Sequence, residues 1–267
     1  MTTERAPAVA GRFYPGEGAA LAADVAARMG TTASAPALAI VAPHAGYIYS
    51  GSIAAETWAK IDVPARVILL CPNHTGLGAR RSLWSGGAWT FPGRSLDIDE
   101  ELRAALARET DLELDTAAHL REHAIEVQLP MLAARRPDAR IVPICLARQD
   151  AHECRALGEG FARAIAAVGG DVFVVASTDM SHYVPVDIAA ERDGLALARV
   201  LALDPAGLHA VVERERISMC GYVPTTVALV CALARGAASA TLVRYGHSGE
   251  ASGDLARVVG YAGVIVA

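Results

Sequence analysis

Three histidines carry the strongest chemical signal in the chain. His44, His74 and His182 each stand a few residues beyond a short apolar run: 37–42 closed by Pro43, 67–71 closed by Pro72, and 171–176 followed by Ser177 and Thr178. Neutral imidazole is a metal ligand and, near its own pKa, a proton carrier. His44 and His74 with a thiolate or a carboxylate would make a three-ligand site with open positions, the form in which catalytic metals are held. Asp179, three residues before His182, could fix that ring's tautomer and leave His182 to donate or accept protons; the plainer alternative makes Asp179 a helix cap and His182 a loop residue. Tyr49 could add a phenol to the same pocket or simply pack. Strand-end histidines also serve acid–base chemistry without a metal, so the residues alone leave both open.

The remaining polar candidates are weaker. His119, His123 and Glu126 fall in a stretch that reads as a helix over 119–132, restarted or kinked at Pro130. His119 reads as a solvated helix face, and His123 and Glu126, which share a face, as residues supporting the site from behind. Neither zinc-protease helix pattern is present. The five cysteines form no CxxC pair and are odd in number, which fits neither a zinc ribbon nor a disulfide framework. Cys71, Cys145, Cys154 and Cys231 read as small buried hydrophobes. Cys220, between Met219 and Gly221 at a loop-to-helix junction, stands apart. The only asparagine, Asn73, adjoins His74 and is either a turn residue or a ligand-orienting side chain.

The elements that must position these residues follow an α/β pattern. Apolar runs at 37–42, 67–71, 139–146 and 171–176 read as buried parallel strands, with closing strands at 240–245 and 257–266. Helices are expected at 18–29, at 51–60 with Ser50 as cap, from 97–101 onward, and at 152–168, 187–203, 205–215 (with His209 on the surface) and 219–233. Residues 76–94 read as a loop or small hairpin anchored by Trp84 and Trp89, and 246–254 as a loop. In open parallel sheets ligands bind at the carboxyl ends of strands, where the three histidines fall. Without a repeat or linker, residues 1–267 are expected to form a single domain with a central, mostly parallel sheet flanked by helices.

Composition narrows the classes. At 267 residues and 53% apolar content a large core is available, and a net charge of −5 with no basic cluster argues against nucleic acid. No run approaches the ~20 apolar residues of a membrane span, and no apolar signal core follows the first residues. A soluble cytoplasmic protein is expected. One lysine and one asparagine against abundant Ala and Arg suggest a high-GC bacterial coding background.

Several motifs, in order along nearly the whole chain, resemble the Memo family, whose bacterial and archaeal members are also called AmmeMemoRadiSam system protein B. They are Gly11-Arg12-Phe13-Tyr14-Pro15, Pro43-His44-Ala45-Gly46-Tyr47 with Tyr49 and Gly51, Pro72-Asn73-His74, the run from Glu122 to Pro130, Ser177 to Tyr183, and Met219-Cys220-Gly221. The resemblance implies a fold similar to the extradiol dioxygenases, which use non-haem iron. It implies His44, His74 and Cys220 as metal ligands, with Asp179, His182 and Tyr49 lining the pocket. It also implies a pathway link to radical-SAM and AMMECR-type proteins. Those dioxygenases complete their site with a carboxylate, whereas Cys220 would supply a thiolate, which changes the metal's charge and potential. Three functions are then in view. The first is a redox enzyme using Fe(II), or copper, on a small-molecule substrate. The second is a non-catalytic binding or scaffold protein with a dioxygenase-like pocket. The third is a hydrolase with Cys220 as nucleophile and His182 as base.

Overall fold

The computed structural model describes residues 4–267. Its strands are β1 (Ala39–Ala42), β2 (Arg66–Pro72), β3 (Arg81–Trp84), β4 (Trp89–Phe91), β5 (Arg94–Ile98), β6 (Glu113–Asp115), β7 (Arg140–Leu146), β8 (Val172–Ser177), β9 (His182–Val184), β10 (Ala240–His247) and β11 (Val258–Val266). They form one sheet in the order β10-β11-β1-β8-β2-β7-β3-β6, with β4, β5 and β9 attached at its margins. The middle of the sheet is parallel: β1 pairs with β8, β8 with β2, and β2 with β7. β11 runs antiparallel to β1, β10 to β11, and β3 to β7.

The central strands read as unbroken apolar runs because both faces are covered. Alternate residues go to opposite cores. Val41, Ile68, Leu70, Val142, Val174 and Ala176 belong to one. Ile40, Leu69, Cys71, Ile141, Phe173 and Val175 belong to the other. Helices α1 (Gly18–Met29), α2 (Tyr47–Ala59) and α4 (Leu129–Arg135) pack together over the second core. Helices α3 (Glu100–Glu109), α5 (Ala151–Val168), α6 (Val186–Leu201), α7 (Pro205–Glu215) and α8 (Tyr222–Ala234) cover the first, and a short α9 (Gly249–Ser252) lies in the last connection. No helix among the described residues is long and apolar enough to cross a membrane.

Three local expectations are corrected. Helix α2 starts at Tyr47, not at Gly51, because Gly46 serves as its N-cap and Ser50 donates to the carbonyl of Ala45 instead of capping. Residues 119–132 do not form one helix: a 3-10 turn spans Glu126–Gln128 and α4 begins only at Leu129, with Pro130 in its first turn. The cause is Glu122, whose carboxylate accepts from the backbone N–H groups of His123 and Ala124 and so replaces helical bonding. His119 and His209 are not solvated. His119 is fully buried between Trp84 and Trp89 and bonds Ser82, and His209 is buried with Nε2 against the carbonyl of Gln149. Trp84 and Trp89 do anchor 76–94 by packing edge to face at 5.7 Å, within a segment that supplies β3 to the main sheet.

Candidate metal centre

His44 leaves the carboxyl end of β1 just where Pro43 stops the strand. Its ring is 2% exposed and its tautomer is set by a buried relay. Trp58 Nε1 can only donate, and it donates to Gln128 Oε1 at 2.9 Å, which orients that amide. Gln128 Nε2 therefore donates to the Pro43 carbonyl at 2.8 Å and to Ser177 Oγ at 3.1 Å. The single Ser177 hydroxyl proton goes to the Ala124 carbonyl at 2.7 Å. With that proton committed, the 2.9 Å contact to His44 requires Nδ1–H to donate to Ser177 Oγ. Nε2 of His44 is left unprotonated, with Cys220 Sγ as its neighbour at 3.3 Å. Burial, then the neighbouring His123 and His74, hold the ring's pKa well below its ordinary value, so it is neutral.

His74, beyond β2, is fixed the same way by a different partner. Its Nδ1 donates at 2.9 Å to Glu122, a fully buried carboxylate that also accepts from the His74 backbone N–H at 2.8 Å. Burial alone would lower the pKa of His74, but the Glu122 hydrogen bond and charge outweigh it and raise it. Burial would raise Glu122, yet its bonds to His74 keep it below the usual carboxylate range. In the neutral ring Nε2 carries the lone pair.

His123 comes from the turn segment and completes the cluster. Its ring stacks on His74 at 4.9 Å and meets His44 edge-on at 5.4 Å. Burial is the main reason its pKa is lowered. One ring nitrogen from each of His44, His74 and His123 lies within 4.8 Å of the other two, a spacing that suits one cation. The donor set fits a metal: two of the rings have Nδ1 fixed by a hydrogen bond and a free Nε2. The sequence marks His123 only as a supporting residue, and the helical spacing of 119–132 carries no sign that its ring turns toward two strand ends. Glu126, its expected companion, stays away from the cluster and binds Arg5, Tyr14 and the N–H groups of Ala8 and Val9.

Cys220 sits beside this cluster. Its Sγ is 3.3 Å from His44 Nε2 and accepts from the Asp179 N–H, also at 3.3 Å. Gly221 makes that approach possible, since a Cβ there would lie 2.4 Å from Thr178 Cβ and 2.5 Å from the Ser177 carbonyl. Burial and the charge of Asp179 push the thiol pKa up. The pairing of Cys220 with His182 needed for a thiol nucleophile is absent, for the thiol faces His44.

The expected Asp179–His182 pair is also corrected. Asp179 Oδ1 accepts from the His44 backbone N–H at 2.7 Å, and burial raises its pKa to about 6. His182 is held by Ser218 instead: its N–H donates to Ser218 Oγ at 2.8 Å and its Nδ1 lies 2.9 Å from the Ser218 carbonyl. A carbonyl can only accept, so Nδ1 carries the proton and Nε2 is the free nitrogen. Asp179, His182 and Tyr49 nevertheless line one cleft of about 680 Å³ with the three clustered histidines. Asn73 turns the chain beyond β2, its side chain accepting from Thr75 and Gly76.

The family model described as Memo-like protein matches residues 5–265. A MEMO1 family protein from Methanopyrus kandleri is 40% identical, over 98% of this chain and 98% of its own. One from Aquifex aeolicus is 38% identical over the same shares. Among solved structures, an uncharacterized protein from Escherichia coli K12 superposes with a TM-score of 0.61 over 86% of this chain and 99% of its own; at 13% identity the likeness is one of fold.

Proposed function

We propose that this protein, which belongs to the Memo-like family, is a metal-dependent oxidoreductase whose cleft takes a small molecule to a redox-active ion. The observation that carries the reading is the convergence of His44, His74 and His123, with the free Nε2 of His44 and of His74 set by Ser177 and Glu122. His44 and His74 would hold the ion, with Cys220 or His123 as the third donor; nitrogen donors alone suit iron or copper, and a thiolate shifts the preference toward softer ions. Fe(II) is our first assignment and copper the second. Such an ion supplies one-electron chemistry and a place for O₂.

The chain's own residues supply the rest. Ser177 and Glu122 keep two Nδ1 positions protonated, so that each ring, when neutral, presents its Nε2 lone pair as a ligand. His182, with Nδ1–H held by Ser218, presents Nε2 to the cleft as proton acceptor. Asp179 fixes the backbone of His44 and, with its raised pKa, is a second group able to hold a proton. The association with radical-SAM and AMMECR-type proteins belongs to the same proposal and would place this chemistry in a pathway with them.

The test is elemental analysis of anaerobically purified protein beside His44→Ala, His123→Ala and Cys220→Ser variants. Near-stoichiometric iron or copper in the wild type, lost with His44→Ala, supports the centre, and whichever of the other two loses metal is the third ligand. A wild-type protein that takes up no metal after Fe(II) or copper loading refutes it.

A further inference from the structure

The mouth of the cleft above the histidines carries two arginines. Arginine–carboxylate pairs recur elsewhere, from Arg28–Asp24 to Arg244–Glu250. Arg12 and Arg257 have no hydrogen-bonding side-chain or carbonyl partner among the described residues, and both line the cleft. They arrive from opposite ends of the chain. Arg12 lies on the lead-in turn whose next residue, Phe13, accepts the Tyr47 N–H at 2.7 Å, and Arg257 directly precedes β11. The cleft's own acids are already engaged: Asp179 by the His44 N–H and Asp254 by the Ala256 N–H. Neither bond removes a carboxylate's charge, but the exposed mouth sets two guanidinium groups against the one exposed carboxylate of Asp254, so cationic charge is in excess there.

The same mouth leaves large apolar groups in solvent. Ile48 is 70% exposed, Tyr49 45% and Tyr183 65%. Tyr183 stands under the Arg257 guanidinium at 5.6 Å and has a left-handed backbone, φ 57°. That conformation is costly for a bulky residue, and it persists only where the surroundings enforce it. Its effect is to keep an aromatic face and a cation together at the lip, next to His182.

We propose that the substrate is a small anionic molecule with a flat apolar body. Its carboxylate or phosphate meets Arg12 and Arg257, and its body lies along Tyr49 and Tyr183 with its reactive end at the histidines. Planar guanidinium groups match both oxyanions, and aromatic walls match a flat ring. A volume of about 680 Å³ admits such a molecule whole. The assignment of the reactive end rests on the metal-centre reading; the charge and shape preference does not.

Binding of 3,4-dihydroxybenzoate, catechol, 3,4-dihydroxybenzylamine and phenyl phosphate is measured by calorimetry on the full chain, metal-free and again after anaerobic Fe(II) loading. One charge-assisted contact is worth enough for the benzoate to bind about tenfold more tightly than catechol, and the amine should bind most weakly. An Arg12→Gln/Arg257→Gln variant should bring benzoate and catechol within about twofold, while Arg12→Lys/Arg257→Lys keeps most of the preference. Phenyl phosphate against benzoate shows which oxyanion is favoured. Equal binding of benzoate and catechol, a preference undiminished in the double glutamine variant, or no binding of either anion at millimolar concentration overturns the proposal. Failure of the metal reading looks different: Fe(II) loading then fails to strengthen the binding of 3,4-dihydroxybenzoate, with the charge preference intact.

Discussion

Ser177→Ala is the sharpest test of how this centre is built. The substitution removes one oxygen, buried at 1% exposure, that accepts from His44 Nδ1 at 2.9 Å and from Gln128 Nε2 at 3.1 Å and donates to the Ala124 carbonyl at 2.7 Å. Gln128 keeps its bond to Pro43, so two groups are orphaned: the His44 Nδ1–H and the Ala124 carbonyl. Each unpaired buried group costs about 1–3 kcal/mol, so a loss of roughly 2–6 kcal/mol in urea unfolding is expected. The larger consequence is chemical. With no acceptor at Nδ1, the His44 proton is free to move to Nε2, where Cys220 Sγ waits at 3.3 Å as a weak acceptor. That tautomer has no lone pair toward the cluster. Loss of an orienting partner typically weakens metal binding 10–100-fold, and chelator competition at neutral pH should show about that. Ring ¹⁵N shifts of His44 should show protonated Nδ1 in the metal-free wild type and a mixture in the variant. A folded Ser177→Ala protein with wild-type metal affinity and an unchanged Nδ1–H signal would refute the relay.

Two further outcomes follow from buried groups outside the cluster. Arg5→Met should destabilise the fold by about 3–5 kcal/mol in chemical denaturation, because it strands the fully buried Glu126 carboxylate that Arg5 pairs with; a loss under about 1 kcal/mol, the range of exposed pairs, would mean the pair is hydrated. Burial depresses the pKa of His119 to about 4 against about 6.5 in an unfolded chain, so its contribution is complete above the unfolded pKa and is lost as pH falls toward the folded one. Unfolding measured at neutral pH and near pH 4 should show the advantage of wild type over His119→Gln shrinking by about 3 kcal/mol, and a pH-independent difference would show that His119 protonates in the folded state.

Much of the sheet and two of the three clustered histidines were legible because the signals were local. Pro43 and Pro72 end apolar runs, parallel strands align their carboxyl ends, and His44 and His74 must then share an edge. His123 was not legible as a ligand. The spacing of residues 119–132 suits a helix, and only the carboxylate of Glu122, turned back onto the N–H groups of His123 and Ala124, shows why the chain turns instead. Arg5, close to the start of the chain, carries no pattern that marks it for full burial; the groups its guanidinium hydrogen-bonds lie more than a hundred residues away.

The least legible part is the relay, and it depends on register. Ala42 of β1 stands opposite Ser177 of β8, which brings the last residue of one strand beside the histidine two residues beyond the other. Along β8 the side chains alternate, Val175 facing the core under α2 and α4 and Ala176 the core under α5 and α8, so Ser177 returns to the side from which Gln128 arrives. A one-residue slip of this pairing would turn Ser177 to the other face, leaving His44 at the strand end with its tautomer unassigned. Position at the strand end is thus a property of one segment. The readiness of His44 as a ligand belongs to the pairing of β1 with β8 and to a glutamine whose direction is set by Trp58.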